Sequence, residues 1–294
     1  MTQYKMVVLD MDDTLMNSDN KLSIETKSYL LDIQKRGYYV VLASGRPTEG
    51  MLPTARELEL NKYNSFIISY NGGKTINMAN ENVEVDQPVS KEDFDNIVDY
   101  CRDKNFLVLT YDNGYIIHDS SHEYMNIESQ LTGLPMNRVA DLKEYINHSV
   151  PKVMGVDYVG HITEARIELD GYFNNDIDVT TSKPFFLEFM AKNVSKGNAI
   201  KALCKRLQIS LEEVIVFGDS LNDKSMFEVA GYSVAMGNAS DELKKIADEV
   251  TLDNNSNGIP YALKELFGLK YYYNELICKL IILRLIESDF SKYK

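Results

Sequence analysis

Three aspartates lie within four positions near the start of the chain, directly behind a run of aliphatic residues. They are Asp10, Asp12 and Asp13, in the stretch VVLDMDDTLM at residues 7–16. Carboxylates this close repel one another, so they stay ionised together only where a positive charge lies between them. Ligands that are all oxygen select a hard cation such as Mg²⁺. Taken alone, the stretch is equally compatible with a strand that ends in an acidic turn.

Further polar residues stand at equivalent places along the chain. Ser44 follows a second apolar run, Asp219 and Asp223 follow a third in VIVFGDSLND, and Lys196 begins a helical pattern in NVSKGNAI. In a doubly wound sheet, ligands bind beyond the carboxyl ends of the strands. We therefore expect these carboxylates, the hydroxyl and the ammonium to converge on one crevice.

The elements that would position these groups alternate between strand and helix. Residues 6–9 form a continuous apolar run, which is typical of a parallel strand covered on both faces. Ser23 can cap a helix with Ile24, Leu30, Leu31 and Ile33 on one side, and Gly37 can end it. Two more strands follow in YYVVLASGRP and FIISYNGG. This alternation predicts right-handed crossover units and a doubly wound, Rossmann-like α/β core with a parallel sheet.

The middle of the chain has a different character. Ser90 can open a helix, and LVLTYDNGYIIHD reads as an antiparallel hairpin that turns at Asp112–Asn113–Gly114. The strand and helix alternation returns from Lys196. We therefore predict a discontinuous core at residues 1–81 and 187–270, with an inserted α+β cap domain at 82–186 that sets substrate specificity.

A tail at residues 271–294 follows the predicted core. Its apolar stretch at 277–286 is too short to span a bilayer. It favours a helix that packs on the core or on a second copy of the chain, so a homo-oligomer is open. A helix that binds a membrane surface or a partner is the alternative.

Composition excludes several classes of protein. The 294 residues are 44% hydrophobic and 26% charged, as in a soluble globular protein of about two domains. The formal net charge of −13 argues against nucleic-acid binding but leaves an anionic small molecule open. Cys101, Cys204 and Cys278 are too sparse for a disulfide framework or a zinc knuckle. The first residues lack a signal peptide's apolar stretch, so we expect a cytoplasmic protein.

Four motifs in order resemble those of the haloacid dehalogenase-like phosphatase superfamily. They are DMDDT at 10–14, LASGR at 42–46, Lys196, and GDSLND at 218–223. The chain is most similar to the Cof-type subfamily, which carries a large α/β cap between the second and third motifs. SYNGG at 69–73, VAMGNASDELK at 234–244 and NSNGI at 255–259 look like further landmarks of that subfamily. The resemblance covers about residues 4–268.

The resemblance implies covalent catalysis by Asp10, with Asp12 as the general acid and base. Asp10 would attack the phosphorus of a phosphomonoester and form an aspartyl-phosphate, which water then hydrolyses. Asp12 would protonate the leaving alcohol and later deprotonate the attacking water. Because the two positions differ by two, their side chains would leave an extended strand on the same face.

The remaining motif residues would bind the ion and the phosphoryl group. Mg²⁺ would be held by the Asp10 carboxylate, the Asp12 backbone carbonyl and Asp219, with Asp223 orienting its waters. Four other residues would bind the phosphoryl oxygens. Lys196 would supply positive charge, and Asn222 would contact the phosphate or the substrate. Ser44 and the Gly45 amide would donate hydrogen bonds to the transferring oxygens.

Some residues carry competing interpretations. Many members of the family carry glycine at the position of Asp13, so we interpret Asp13 as a turn residue that tolerates left-handed geometry. Arg46 is either a phosphate contact or one partner of a salt bridge that frames the second motif. His118 and His122 lack the glutamate of a zinc protease motif, and we expect them at the surface. GGKT at 72–75 lacks the first glycine of a P-loop and is expected to be a turn that leads into the cap.

These observations predict a Mg²⁺-dependent phosphomonoester hydrolase that acts on small phosphorylated metabolites, such as sugar phosphates. A phosphosugar mutase or a dedicated sugar-phosphate phosphatase with a related cap is an alternative. A binding or regulatory module without catalysis is a third possibility, which the complete set of carboxylates weighs against.

Overall fold

The computed structural model describes residues 4–169, 171–173 and 176–268. Its strands are β1 Met6–Asp10, β2 Tyr39–Ala43, β3 Phe66–Ser69, β4 Lys74–Asn77, β5 Val83–Asp86, β6 Leu107–Asp112, β7 Tyr115–His118, β8 Met136–Arg138, β9 Val153–Val156, β10 Ile177–Lys183, β11 Phe186–Ala191, β12 Val214–Gly218, β13 Tyr232–Ala235 and β14 Glu249–Val250. Its helices are α1 Ile24–Lys35, α2 Thr48–Glu57, α3 Lys91–Asp103, α4 Met125–Thr132, α5 Leu142–Tyr145, α6 Val159–Glu168, α7 Lys196–Leu207, α8 Lys224–Phe227, α9 Asp241–Ile246 and α10 Gly258–Phe267.

The first sheet has eight strands in the order β14-β13-β12-β1-β2-β3-β4-β5. The six strands from β14 to β3 run parallel, and β4 and β5 continue the sheet antiparallel. The order reverses at β1, which has β2 on one side and β12 on the other. The predicted doubly wound core is therefore confirmed, and its switch point lies at the strand that ends in Asp10.

Helices cover both faces of this sheet because its central strand is apolar on both. Val7 and Leu9 of β1 belong to a cluster with residues of α1, α2 and α10. Met6 and Val8 face the opposite cluster, which contains residues of α7, α8 and α9. Every residue of β1 is buried, as a continuous apolar run in a parallel strand predicts.

Helix α1 begins where its sequence predicts, but its buried face differs from the predicted one. The Thr26 amide donates to Ser23 Oγ over 3.0 Å, which caps the first turn. Leu30 and Ile33 are buried, as predicted, on a face that also contains Thr26. Leu31 is only half-buried and Ile24 is 81% exposed, because both lie off that face.

The second sheet has six strands in the order β10-β11-β9-β6-β7-β8. β6 and β7 form the predicted hairpin, with Asn113 and Gly114 in left-handed conformations at the turn. Helices α3 and α6 contribute to the apolar cluster on one face. The opposite face is covered by residues around α4 and by Tyr70 from the first sheet's side of the molecule.

The sheets divide the chain at somewhat different places from the predicted boundaries. β5 pairs with β4 in the first sheet, although residues 82–86 were assigned to the cap. β11 pairs with β9 in the second sheet, although residues 187–191 were assigned to the core. GGKT runs into β4, so Lys74 and Thr75 belong to a strand. The tail at 271–294 and Cys278 lie outside the described residues, and none of the described helices is long and apolar enough to cross a membrane.

Candidate active site

Asp10 ends β1, and the chain turns sharply after it. The Asp10 residue is only 4% exposed, whereas the Asp12 side chain is 56% exposed. Residues 11–15 form an irregular turn in which Asp12 and Asp13 are not helical, and Asp13 has φ 58° and ψ 7°. The interpretation of Asp13 as a left-handed turn residue is confirmed. The extended alternation that we expected to carry from Asp10 to Asp12 stops at the end of the strand, so the two carboxylates lie in different environments.

Lys196 bridges two of the predicted carboxylates. Its Nζ lies 2.5 Å from Asp10 Oδ1 and 2.7 Å from Asp223 Oδ1, and all three side chains are buried. Ser195 caps α7 by accepting a hydrogen bond from the Asn198 amide over 3.1 Å. The start of α7 therefore fixes the ammonium between carboxylates that come from the ends of β1 and β12.

The loop after β12 positions Asp219 and Asp223. Asp223 Oδ2 accepts hydrogen bonds from the Asp219 amide over 3.0 Å and the Ser220 amide over 3.2 Å. A Cβ on Gly218 would lie only 2.7 Å from the Asp223 side chain, so this close approach requires glycine. Thr14 Oγ1 donates to Asp219 Oδ1 over 2.8 Å. We had assigned Thr14 no role, although it completes the DMDDT motif.

Three of these carboxylates form a cluster whose chemistry fits a divalent cation. One oxygen each from Asp10, Asp219 and Asp223 lies within 4.8 Å of the others. Three negative charges face the single positive charge of Lys196, which leaves two negative charges uncompensated. A hard divalent ion with oxygen ligands matches both this charge and this donor set. The Asp12 side chain lies outside the cluster, and contact of its backbone carbonyl with an ion stays a prediction.

Burial and neighbouring charges shift the pKa values in the cluster. Burial raises the pKa of Asp10 well above its usual range, Asp223 raises it further, and Lys196 offsets only part of the increase. Burial also raises the pKa of Asp219 to about 6, although the hydrogen bond from Thr14 opposes the increase. Burial by itself would lower the pKa of Lys196, but Asp10 and Asp223 raise it above its ordinary value. Lys196 is therefore a permanent cation.

Ser44 and Arg46 lie on the loop that follows β2. Ser44 is buried, and its Oγ accepts a hydrogen bond from the Arg46 amide over 3.1 Å. Arg46 binds Asp12 with two hydrogen bonds, from Nε over 3.0 Å and from Nη2 over 2.5 Å, and Nη2 also donates to Asn20. Of the two interpretations of Arg46, the structure shows the salt bridge.

Asn222 and His118 have no hydrogen bond to the clustered carboxylates within the described residues. Asn222 is exposed, and its Oδ1 accepts a hydrogen bond from Ser220 Oγ over 2.5 Å, so its contact with a substrate stays a prediction. His118 is buried, not at the surface, and its Nδ1 lies 2.8 Å from the Ser120 carbonyl oxygen. His118 is in β7 because the apolar run of that strand extends to it.

A large cleft is lined by residues other than the clustered carboxylates. It has a volume of about 700 Å³ and runs between the first sheet's α2 and β4 and the turn of the β6–β7 hairpin. None of the clustered aspartates lines it. Its polar lining residues include Glu49, Arg56, Lys74, Tyr111 and His148. We locate the chemistry at the carboxylates because, within the part of the chain that the structure describes, they combine burial, convergence and uncompensated charge.

Known proteins are similar to this chain in both sequence and fold. The family described as haloacid dehalogenase-like hydrolase matches residues 7–263. The crystal structure of a haloacid dehalogenase-like hydrolase from Bacteroides thetaiotaomicron superposes with a TM-score of 0.85 at 35% identity, over 90% of this chain and 100% of that one.

Two curated relatives from Bacillus subtilis are named as phosphatases. Phosphatase YwpJ is 28% identical over 287 residues, which cover 89% of this chain and 99% of the relative. The 5-amino-6-(5-phospho-D-ribitylamino)uracil phosphatase YcsE is 28% identical over 261 residues, which cover 88% of this chain and 94% of the relative. The family match at residues 7–263 includes both sheets and all four motifs. The chain therefore belongs to the Cof-type branch of the haloacid dehalogenase-like hydrolases and is a phosphatase.

Proposed function

We propose that the protein is a Mg²⁺-dependent phosphomonoester hydrolase that acts on small phosphorylated metabolites through an aspartyl-phosphate intermediate. The observation that carries this proposal is the buried Lys196 ammonium, which lies between Asp10 and Asp223 in a cluster that still lacks two positive charges. An anionic phosphoryl group can approach such a cluster only if a cation neutralises it.

Asp10 is the nucleophile in this proposal. Within the described residues, its hydrogen bonds use Oδ1 alone, which leaves Oδ2 for attack on phosphorus. The new bond joins Asp10 Oδ2 to phosphorus, and the bond from phosphorus to the alcohol oxygen breaks with its electron pair. Lys196 favours the ionised form of the Asp10 carboxylate and holds it in place, and a bound cation would favour ionisation further.

Asp12 moves the proton that each half of the reaction requires. In the first half, Asp12 takes up a proton from solvent and gives it to the departing alcohol oxygen, which leaves Asp12 ionised. In the second half it accepts a proton from the water that attacks the aspartyl-phosphate, and Asp10 and inorganic phosphate are released. The exposed Asp12 carboxylate is suited to this exchange, because solvent can reach it while Arg46 fixes its orientation.

The remaining groups stabilise charge on the transferring phosphoryl group. Lys196 supplies a positive charge, and Ser44 Oγ and the Gly45 amide supply donors from the loop after β2. The Asp10, Asp219 and Asp223 carboxylates would hold Mg²⁺, which when bound neutralises negative charge on the phosphoryl oxygens.

Two observations indicate the class of substrate: the volume of the cleft between the two sheets and the name of a relative. The cleft of about 700 Å³ between the two sheets is large enough for a small metabolite. The Bacillus subtilis relative YcsE is named for a phosphorylated ribitylamino-uracil. Both observations favour a small polar alcohol as the leaving group.

A screen of phosphorylated metabolites tests the proposal. Purified protein with Mg²⁺ should release inorganic phosphate from p-nitrophenyl phosphate and from a subset of sugar, nucleotide and cofactor phosphates. Conversion of a hexose 1-phosphate to its 6-phosphate without release of phosphate would indicate a mutase instead. Absence of turnover on the whole panel, with folded protein and Mg²⁺, would reject the proposed reaction.

A further inference from the structure

Three consecutive residues after β3 have left-handed backbones. Their φ angles are 52° at Tyr70, 55° at Asn71 and 109° at Gly72. A bulky residue such as tyrosine rarely adopts this conformation, and each such residue costs free energy that the surroundings must offset. Three such residues in a row therefore indicate that contacts with the surrounding structure impose the conformation of the loop at residues 70–72, as is common at functional sites.

This loop lies between two parts of the proposed phosphoryl site. The Tyr70 amide donates to the Arg46 carbonyl oxygen over 3.0 Å, and the Asn71 amide donates to the Ser44 carbonyl oxygen over 2.9 Å. On its other side, a Cβ on Gly72 would lie 2.3 Å from the Ser195 carbonyl oxygen, next to Lys196. The loop thus connects the turn that carries Ser44 to the start of the helix that carries Lys196.

The Asn71 side chain has no hydrogen-bond partner in this arrangement. Its amide packs on Gly45, where an added Cβ would lie 3.1 Å from Oδ1 and 3.3 Å from Nδ2. Oδ1 is buried and accepts no hydrogen bond, and Nδ2 donates none within the described residues. A half-turn about the last side-chain torsion exchanges the two atoms, so the buried position can hold the Nδ2 donor as well as the Oδ1 acceptor. With Nδ2 at that position, a buried N–H group lacks a partner, which is costly unless a ligand with an acceptor satisfies it.

We propose that Asn71 is a phosphoryl-binding residue, whose side-chain amide donates a hydrogen bond to a non-bridging phosphoryl oxygen held by Ser44 and Gly45. This assignment rests on the proposed phosphatase function. A neutral donor suits the position, because the adjacent cluster already contains several carboxylates and a phosphoryl group offers only acceptors. The competing explanation is that Asn71 is present only because asparagine tolerates a left-handed backbone.

Two substitutions separate the amide from the backbone. Asn71→Gly removes the amide but permits the same φ angle, and Asn71→Asp keeps the shape but replaces the donor with a negative charge. The matched control is Asn105→Gly, at an exposed left-handed asparagine between α3 and β6. Affinity for inorganic phosphate is measured by calorimetry in the presence of Mg²⁺, and kcat/KM is measured on p-nitrophenyl phosphate and on an alkyl phosphate.

We expect Asn71→Gly to weaken inorganic phosphate binding and to lower kcat/KM on both substrates by about 10- to 100-fold, the worth of one hydrogen bond to a charged group. Asn71→Asp should lose more, because its carboxylate repels the phosphoryl oxygens. Asn105→Gly should change neither quantity.

Unchanged phosphate affinity in Asn71→Gly would overturn the assignment, whether or not turnover falls, because the phosphoryl contact would then be absent. Failure of the wild type to bind inorganic phosphate would overturn it as well. The binding measurement needs no turnover. A wild type that binds phosphate in an Asn71-dependent manner but hydrolyses no ester would therefore reject the proposed reaction and retain this contact.

Discussion

Arg46 holds Asp12 by both carboxylate oxygens, through Nε at 3.0 Å from Oδ2 and Nη2 at 2.5 Å from Oδ1. The two residues belong to loops after adjacent parallel strands, β1 and β2, and lie 34 positions apart in sequence. A planar guanidinium that binds a carboxylate at two points fixes both its position and its orientation. Arg46 therefore positions the residue to which we assign proton transfer.

The first prediction concerns this positioning. Arg46→Lys keeps the charge but loses the two-point contact. We expect kcat to fall by about tenfold on an alkyl phosphate, whose leaving group needs a proton. The decrease should be smaller on p-nitrophenyl phosphate, whose leaving group needs little protonation. Equal losses on the two esters, measured by phosphate release in parallel, would show that Arg46 acts on the phosphoryl group instead of on Asp12.

Asp10→Asn should abolish turnover in a folded protein. The substitution keeps the volume of the side chain but removes the nucleophile and one of the two carboxylates that hold Lys196. The matched control is Asp13→Asn, three residues along the same turn, where the side chain is exposed and we expect activity close to the wild type. Retention of a tenth of wild-type turnover by Asp10→Asn, measured on p-nitrophenyl phosphate, would show that another group attacks phosphorus.

Removal of divalent cations should abolish activity and destabilise the protein. Treatment with EDTA leaves the cluster of Asp10, Asp219 and Asp223 without its counter-charge. Added Mg²⁺ should restore turnover and raise the thermal midpoint with concentration, since it binds the folded state. Ca²⁺ should support turnover poorly, because its longer and looser coordination displaces the reacting groups. Full activity in metal-free buffer would contradict the proposed metal site.

Asp219→Asn should raise the Mg²⁺ concentration that gives half-maximal activity.

A buried ion pair in the second sheet should contribute strongly to stability. Lys152 Nζ lies 2.9 Å from Glu188 Oε1, and both side chains are 3% exposed. We expect Lys152→Met to lower the free energy of unfolding by about 3–5 kcal/mol, because it leaves the buried Glu188 carboxylate without an opposite charge, with a hydrogen bond from Ser182 Oγ remaining. Lys152→Met combined with Glu188→Leu should recover much of that loss. Urea unfolding measures both effects.

The control for that pair is Lys192→Met, which removes an exposed ion pair with Asp178 at the edge of the same sheet. It should cost less than about 1 kcal/mol. Burial lowers the pKa of Lys152, but Glu188 and Glu128 raise it above its unfolded value. The contribution of the pair should therefore be complete below about pH 10 and lost as pH rises through the folded pKa. An equal cost for Lys152→Met and Lys192→Met at pH 7 would contradict this account.

The second sheet should set substrate preference without touching the phosphoryl chemistry. His148 lines the large cleft, and its Nε2 lies 3.2 Å from Asp112 Oδ1. We expect His148→Ala to change the ranking of metabolites by tenfold or more, since one or two contacts are worth about 1–3 kcal/mol. Hydrolysis of acetyl phosphate, which has a minimal leaving group, should stay within a few-fold of the wild type. His161→Ala, at an exposed position outside the cleft, is the control.

A parallel decrease in kcat/KM for acetyl phosphate and for the preferred metabolite would contradict that division of roles. It would show that the second sheet serves catalysis or stability as a whole, and not recognition of the leaving group.

The fold and most of the candidate site were readable in the sequence, because they depend on local patterns. Continuous apolar runs marked the parallel strands, Ser23 and Ser90 marked helix starts, and the acidic motifs stood at strand ends. Parallel strands bring their carboxyl ends to one edge, so the convergence of Asp10 with Asp219 and Asp223 followed from strand order alone.

Contacts between distant segments were decided only by the tertiary structure. The membership of β5 and β11 in their sheets depends on which strand edge each one meets, which no local pattern encodes. The same holds for Arg46 on Asp12 and for Thr14 on Asp219, a pair 205 positions apart. The environment of Asn71 depends on the close approach of three loops, since its left-handed backbone and unpaired amide arise where β2, β3 and α7 meet.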